Sequence, residues 1–233
     1  MAIRRDAVRA AAVDKFGLVL VACIITYALL ITIDSSQWSG LAGSLPVLVT
    51  VIFTINASTP GPILRGLAIG FITAAIILGS VSAAHHNVQV FGVAMVFTGL
   101  SLGACIIAIL ARMMEHTRVT VHSVLAVLAA YVMIGLFFTF IDSGIGHIAG
   151  TFFAQSGAHS QSDYAYLSYI TLTTVGFGDL TPGTGVARSV IILEGLIGQI
   201  FLVTLVARMV AMFGTERSPM TLRRNAENPE AQE

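Results

Sequence analysis

Charged residues are scarce in this chain of 233 residues: 10% of them are Asp, Glu, Lys or Arg, whereas 56% are hydrophobic. A water-soluble domain carries about 25% charged residues, so this chain could not cover a soluble surface of its size. The formal net charge is zero, which removes any bulk attraction for nucleic acid or for an acidic partner. The composition therefore indicates an integral membrane protein.

Cysteine is also rare, and the two cysteines, Cys23 and Cys105, each lie inside an apolar run. No histidine or third cysteine stands at the spacing of a metal-ligand set, so both are interpreted as small buried hydrophobic residues. The sequence also lacks a set of nucleophile, base and oxyanion donor at catalytic spacing. We therefore predict neither an enzyme nor an organic cofactor, and no auxiliary subunit is evident.

Six apolar stretches are long enough, or nearly so, to cross a bilayer as helices, which takes about 20 apolar residues. They are 16–33, 41–57, 66–84, 88–111, 119–141 and 186–213, and the second contains Pro46. Two small-xxx-small pairs, Gly66 with Gly70 and Gly99 with Gly103, are interpreted as packing contacts within the subunit. The predicted fold class is an all-α membrane protein with six transmembrane helices.

The positions of lysine and arginine test this count, because these residues favour cytoplasmic loops. With six spans, every basic residue but one falls on the same side, and Arg188 at the outer start of the sixth span is the exception. The others are Arg4, Arg5, Arg9, Lys15, Arg65, Arg112, Arg118, Arg208, Arg217, Arg223 and Arg224. We therefore predict a multi-pass protein of the plasma (cell inner) membrane with both termini in the cytoplasm.

A long polar segment, residues 142–185, separates the fifth and sixth spans. Its first half is interpreted as an extracellular connection. In its second half, Ser162 is a candidate N-cap, and a helix is predicted over 163–173, too short to cross a bilayer. The stretch "TTVGFGD" follows at 173–179. A half-helix followed by a glycine-rich loop is typical of a re-entrant segment that lines a wet or protein-walled path.

The glycines of this stretch give it a chemistry of its own. Gly176 and Gly178 permit left-handed backbone angles, and their alternation with other residues lets successive carbonyls point the same way. A row of carbonyl oxygens can replace the water shell of a cation, and the negative end of the preceding helix favours a cation there. One chain supplies only one row, so several copies around an axis are expected.

"TTVGFGD" resembles the selectivity filter of tetrameric potassium channels, with Phe177 where the commonest form has tyrosine. The resemblance covers about residues 119–213, with outer helix, pore helix, filter and inner helix in order. "LEGLIGQIFLVTLVARMV", 193–210, is similar to the inner helix of small bacterial members. The resemblance implies a homotetramer in which the backbone carbonyls of Thr174, Val175, Gly176 and Phe177, with the Thr174 hydroxyl, bind K⁺ as the permeant ion. Gly178 would complete the outer turn.

The resemblance also implies roles for residues around the filter. Asp179 would lie behind the outer mouth with Tyr166 as its hydrogen-bond donor, and Thr173 would support the filter. Phe177 lacks the hydroxyl that commonly braces the filter, so selectivity should persist with a less rigid outer end. Gly198 aligns with the glycine hinge of the inner helix, and tight packing against a neighbouring helix is the alternative interpretation.

Glu194 and Gln199 are polar residues inside the sixth span, where a carboxylate is costly and usually functional. Two arrangements remain open. Glu194 could be protonated or bonded to backbone behind the pore helix, with Gln199 in the same network. Alternatively, Glu194 could face the central cavity and attract cations.

The predicted domains are a cytoplasmic segment 1–15, a four-helix bundle 16–111, a linker 112–118, a pore domain 119–213 and a disordered tail 214–233. The bundle resembles a voltage-sensor domain, but its fourth span lacks the arginines that would move in the field, so conventional voltage gating is not expected. The prediction is a potassium channel in contact with membrane lipid. The alternatives are a weakly selective cation channel, a transporter with a re-entrant loop and a non-conducting scaffold.

Overall fold

The computed structural model of the chain describes residues 2–32, 39–114 and 121–213. Within these ranges the secondary structure is helical, with one isolated β-bridge between Phe153 and Pro182. The helices are α1 Ala2–Thr32, α2 Ser39–Ser58, α3 Pro62–His85, α4 Val88–Met114, α5 Val121–Ala149, α6 Gln161–Leu172 and α7 Gly185–Phe213. The all-helical prediction is confirmed for the described ranges. The predicted tail 214–233 and most of the predicted linker 112–118 lie outside them.

Five helices contain apolar windows long enough to cross a bilayer, as expected of a multi-pass membrane protein. The windows are Lys15–Thr32, Pro62–His85, Val88–Met114, Ser123–Ala149 and Gly185–Ala207. Helix α2 contributes a shorter apolar stretch, Ser44–Ser58. The sixth crossing therefore stays a prediction.

Two polar contacts place α2 within the bundle. The buried hydroxyls of Thr26 on α1 and Thr50 on α2 lie 3.1 Å apart and share a hydrogen bond. Arg112 near the end of α4 donates from Nη1 to the Thr59 hydroxyl, 3.0 Å away, in the turn that follows α2. The α2–α3 turn and the end of α4 therefore meet at one end of the bundle, which the charge pattern predicts to be cytoplasmic.

Helices α4 and α5 approach each other so closely that their contact requires glycine. A Cβ atom at Gly92 would lie 2.9 Å from the carbonyl oxygen of Gly144, and one at Gly99 would lie 2.9 Å from Cδ1 of Ile141. Gly103 likewise packs against the ring of Phe137. Intrasubunit packing is thus confirmed for Gly99 and Gly103. It was wrong for Gly66 and Gly70, which have no such neighbour within 4 Å.

Two helix boundaries differ from the sequence-based prediction. Helix α5 runs to Ala149 rather than ending at 141, because Asp142 and Ser143 are buried against the rest of the fold instead of being solvated. Helix α6 begins at Gln161 with Ser160 as N-cap, not Ser162. Ser160 is the N-cap because its backbone N–H donates to the Asp163 carboxylate at 2.9 Å, and this hydrogen bond forms one half of a capping box.

Candidate functional site

The start of the "TTVGFGD" stretch is held by hydrogen bonds to the C-terminal end of α6. The backbone N–H of Thr174 donates to Thr171 O at 3.0 Å. The N–H groups of Val175 and Gly176 both donate to Ile170 O, at 2.9 and 3.1 Å. All peptide bonds here are trans, so the carbonyl on the other side of each of these peptide groups points away from α6. The carbonyls of residues 173, 174 and 175 therefore form a row directed away from the helix.

Alternate residues of the stretch have left-handed backbone angles. The φ values are +60° at Thr174, +51° at Gly176 and +79° at Gly178. The two glycines adopt the conformation that their lack of Cβ permits. The same conformation at a β-branched threonine is strained, and such strain persists where the surroundings impose it. Thr174 was not predicted to be strained, since threonine gives no such signal in the sequence.

The outer half of the stretch is held by side chains. The Tyr166 hydroxyl lies 3.0 and 2.9 Å from the two carboxylate oxygens of Asp179 and donates to that carboxylate. The ring of Tyr166 lies parallel to that of Phe177, with 6.5 Å between centroids. Loss of hydration, followed by the hydrogen bond to Asp179 and its charge, raises the pKa of Tyr166. The hydroxyl therefore remains a donor at neutral pH.

A clamp outside the stretch was missed by the sequence analysis. Gln155 donates from Nε2 to Asp179 O at 2.9 Å and accepts at Oε1 from the N–H of Thr181 at 3.1 Å. The N–H of Ala154 donates to Thr181 O at 2.8 Å, and that of Gly183 to Phe152 O at 2.7 Å. The segment before α6 is thus paired with the segment after the "TTVGFGD" stretch. A glutamine in a polar loop carries no local pattern that would reveal a partner 26 residues away.

Three glycines make room for α6 between α5 and α7. A Cβ atom at Gly135 would lie 2.6 Å from Cζ of Tyr169, and one at Gly146 would meet the hydroxyl of Tyr164. A Cβ atom at Gly198 would lie 2.6 Å from Cδ1 of Leu172. Gly198 therefore allows close packing against the C-terminal end of α6. Its role as a hinge stays a prediction.

Hydrogen bonds fix α6 in these positions. The Tyr169 hydroxyl donates to Val132 O at 2.7 Å, and the Tyr131 hydroxyl donates to Leu172 O at 3.1 Å. The Thr173 hydroxyl donates to Tyr169 O at 2.6 Å, which closes the C-terminal turn. Hydrogen bonds with α5 therefore position the short helix from which the glycine-rich stretch extends.

Glu194 is completely buried and is hydrogen-bonded to Ser168 on α6. Glu194 thus lies behind α6, as one interpretation expected, but its partner is the Ser168 side chain rather than backbone. Gln199 is exposed rather than buried, and no hydrogen bond joins it to Glu194 in the described part of the chain. The prediction that both residues share one buried network was wrong, because Gln199 lies on the exposed side of α7.

These features define a multi-pass membrane protein with a short helix and a glycine-rich loop held between two long helices. Residues 126–215 match the family model described as ion channel. The match supports passive ion conduction and a class of protein that is not enzymatic, and it does not reach α1–α4. No curated protein and no solved structure has a significant match to the chain.

Proposed function

We propose that the chain is one subunit of a homotetrameric channel that conducts K⁺ selectively and passively across the plasma membrane. The observation that carries the proposal is the backbone of residues 173–179. Its N–H groups are turned toward α6 at three successive positions, which directs the intervening carbonyls to the opposite side. Carbonyl oxygens in such rows replace the hydration shell of K⁺ in selectivity filters.

The proposed ion sites use the backbone carbonyls of Thr174, Val175, Gly176 and Phe177, together with the Thr174 hydroxyl. The C-terminal end of α6 supports a cation at the inner end, because unpaired carbonyls give a helix terminus a partial negative charge. Gly178, with φ of +79°, makes the outer turn toward Asp179. Tyr166 and Asp179 brace this outer end in place of the hydroxyl that Phe177 lacks.

Four copies of the chain around one axis would supply the several rows of carbonyls that are needed to surround an ion. A single row of carbonyls cannot surround an ion, and residues 173–179 are all exposed in the isolated subunit. Phe177 is 71% exposed and Val175 is 51% exposed, although both are apolar. An assembly around an axis beside this stretch would cover them. Membrane lipid would cover the remaining apolar faces of the bundle.

Conventional voltage gating is not part of the proposal. The first arginine of α4 is Arg112, two residues before the helix ends, so the membrane-spanning part of α4 carries no gating charge. Gly92, Gly99 and Gly103 also bring α4 into close contact with α5 of the same chain. An α4 helix packed in this way is suited to a fixed support for the pore rather than to a moving sensor.

The proposal is tested by reconstituting the purified protein into liposomes and measuring the reversal potential with K⁺ on one side and Na⁺ on the other. A strong preference for K⁺ is expected. Gly176→Ala should abolish the K⁺ current, because alanine is disfavoured at a φ of +51° and the carbonyl row would turn. Gly185→Ala is the control, since that glycine has neither a positive φ nor a neighbour within 4 Å of the added carbon.

Each alternative has a distinct result in the same liposomes. Equal permeability to K⁺ and Na⁺ would indicate a weakly selective cation channel. Saturable flux coupled to a second solute would indicate a transporter. An assembled protein without flux would indicate a scaffold, and any of these three results would overturn the assignment to potassium channels.

A further inference from the structure

Two completely buried carboxyl groups lie behind the pore helix without enough hydrogen-bond partners. Asp142 on α5 and Glu194 on α7 both have 0% of their surface exposed. Within the described residues, no partner reaches Asp142 Oδ1 or Oδ2, Glu194 Oε2, or the buried Nε2 atom of Gln161. Burying a carboxylate without a partner costs several kcal/mol or more, so these oxygens require a ligand or a proton.

The two groups belong to one site between α5, α6 and α7. On α5, Gly135 and Gly146 contact Tyr169 and Tyr164 of α6, and Asp142 lies between these two glycines on the same helix face. Its neighbour Ser143 donates to Gln161 Oε1 at 2.6 Å, at the beginning of α6. Ser168 on α6 joins Glu194 to this same face of α5, because its hydroxyl contacts both Glu194 and Gly135 O.

Counting hydrogens assigns a proton to Glu194. The Ser168 hydroxyl lies within hydrogen-bond distance of two oxygens, Gly135 O at 2.8 Å and Glu194 Oε1. A hydroxyl has one hydrogen to donate, and a backbone carbonyl can only accept. A proton on the Glu194 carboxyl satisfies both contacts, because Ser168 then accepts from Glu194 and donates to Gly135 O, which also accepts from the Thr139 hydroxyl at 2.8 Å. The opposite assignment would leave two oxygens facing each other at 2.8 Å with no hydrogen between them.

No cation of the protein replaces this proton. In the described part of the chain, no lysine or arginine forms an ion pair with either carboxyl group. Besides the two carboxyl groups, the titratable side chains with described surroundings on these three helices are Tyr131 and His147 on α5, Asp163, Tyr164, Tyr166 and Tyr169 on α6, and Arg188 on α7. Tyr27 and Cys23 of α1 lie near Tyr169. The cation among them, Arg188, is exposed at the start of α7 and donates to Pro182 O at 3.3 Å. The Nδ1 atom of His147 is hydrogen-bonded to Ser143 O at 2.7 Å. Two ionised carboxylates would thus repel each other with no permanent counter-charge.

We propose that Asp142 and Glu194 form a buried proton-binding site between α5, α6 and α7. Glu194 keeps its proton in the folded channel, because that proton completes the hydrogen bonds joining α7 to Ser168 and Gly135. Asp142 exchanges its proton with the outer solution, and hydronium delivers the proton and leaves as water. Gln161 marks the route, since it is only partly buried and its unpartnered Nε2 atom needs an acceptor such as water.

The proposal does not depend on which ion the channel conducts. Its test is infrared difference spectroscopy of the purified protein in lipid, which detects the carbonyl stretch of protonated carboxyl groups. We expect one band that persists from acidic to alkaline buffer and disappears in Glu194→Gln. We expect a second band that declines as pH rises and is absent in Asp142→Asn. Bands that neither substitution removes, or a second band insensitive to pH, would overturn the proposal.

Two substitutions at Glu194 distinguish the effect of the hydrogen-bond donor from the effect of the carboxyl charge. The amide of Glu194→Gln can donate to Ser168 as the protonated acid does, so its melting temperature and tetramer fraction should match those of the unaltered protein. Glu194→Ala removes the donor and leaves a cavity, so it should melt at a lower temperature. If Glu194→Gln were as damaging as Glu194→Ala, Glu194 would not act through a bound proton.

Discussion

Helices α5 and α7 are almost equally apolar, with mean hydropathies of 2.6 and 2.3, yet 61% of the apolar window of α5 and 11% of that of α7 is buried in the chain. Helix α5 is in glycine-mediated contact with α4 and with α6, whereas the described part of α7 makes one such contact, at Gly198. Apolarity alone therefore does not distinguish a helix covered by its own chain from one left for other subunits or lipid. Close contacts at glycines make that distinction.

The largest effect should come from overpacking α5. A Cβ atom at Gly135 would lie 2.6 Å from Cζ of Tyr169, whose ring is fixed by its bond to Val132 and by Tyr27, 4.5 Å away between centroids. Gly135→Ala should lower the free energy of unfolding by about 1–3 kcal/mol, the usual cost of overpacking. Thermal unfolding of the purified protein measures this change. Gly70→Ala, with no such neighbour within 4 Å, is the control, and equal destabilisation of both would contradict the account.

The next largest effect should come from the exposed face of α7. Ile200 is 66% exposed in the single chain, and Ile77 on α3 is 63% exposed. If neighbouring subunits cover α7 and lipid covers α3, Ile200→Trp should weaken assembly at least about tenfold, which corresponds to 1.4 kcal/mol. Ile77→Trp should leave assembly unchanged. The tetramer fraction by native mass spectrometry checks both, and identical behaviour would mean that lipid covers this part of α7.

A smaller effect should appear where the filter is braced from the side. Tyr166→Phe keeps the ring beside Phe177 but removes the hydrogen bond to Asp179. Potassium current should then decline faster when external K⁺ is lowered, and Phe177→Tyr should slow this decline. Tyr164→Phe on the same helix is the control, because no hydrogen bond to its hydroxyl occurs in the described part of the chain. Unchanged decline in both test variants would remove bracing as the role of Tyr166.

The smallest effect is a shift in the titration of Tyr166. Its pKa is raised above the ordinary value of 10.0 by loss of hydration and by Asp179. The stability from this bond should therefore be complete below pH 10.0 and be lost as pH rises through the raised value. Ultraviolet absorbance of tyrosinate, compared between the unaltered protein and Tyr166→Phe, gives the pKa. Asp179→Asn should bring it back toward the ordinary value, and no change would show that Asp179 is not a cause.

Local signals explain which parts of the fold could be predicted. Continuous apolar runs predicted α3, α4 and α7 to within a few residues, and alternating glycines predicted the left-handed backbone angles at 176 and 178. The end of α5 could not be predicted, because Asp142 is polar in sequence but buried by helices distant in sequence. The N-cap of α6 was misplaced by two residues, since Ser160 and Ser162 carry the same capping signal and differ only in their reach to Asp163.

The functional contacts that were missed are all between residues far apart in the chain. Gln155 and Thr181 are 26 residues apart, as are Ser168 and Glu194. Each pair consists of common polar residues whose side chains form no motif. The exposed position of Gln199 was missed for a related reason. The sequence of α7 is apolar on all sides, so it does not indicate which side of the helix contacts α6.

The clamp at Gln155 has a mechanical consequence for the filter. The segment 173–179 is held at its inner end by the N–H groups that are hydrogen-bonded to α6. At its outer end it is held by Gln155 and Tyr166, which are both hydrogen-bonded to Asp179. A segment fixed at both ends deforms most between its anchors, where Phe177 and Gly178 make no backbone–backbone hydrogen bond within the described residues. Any widening or collapse that accompanies the passage of an ion should therefore be concentrated at these two residues, while the anchors stay in place.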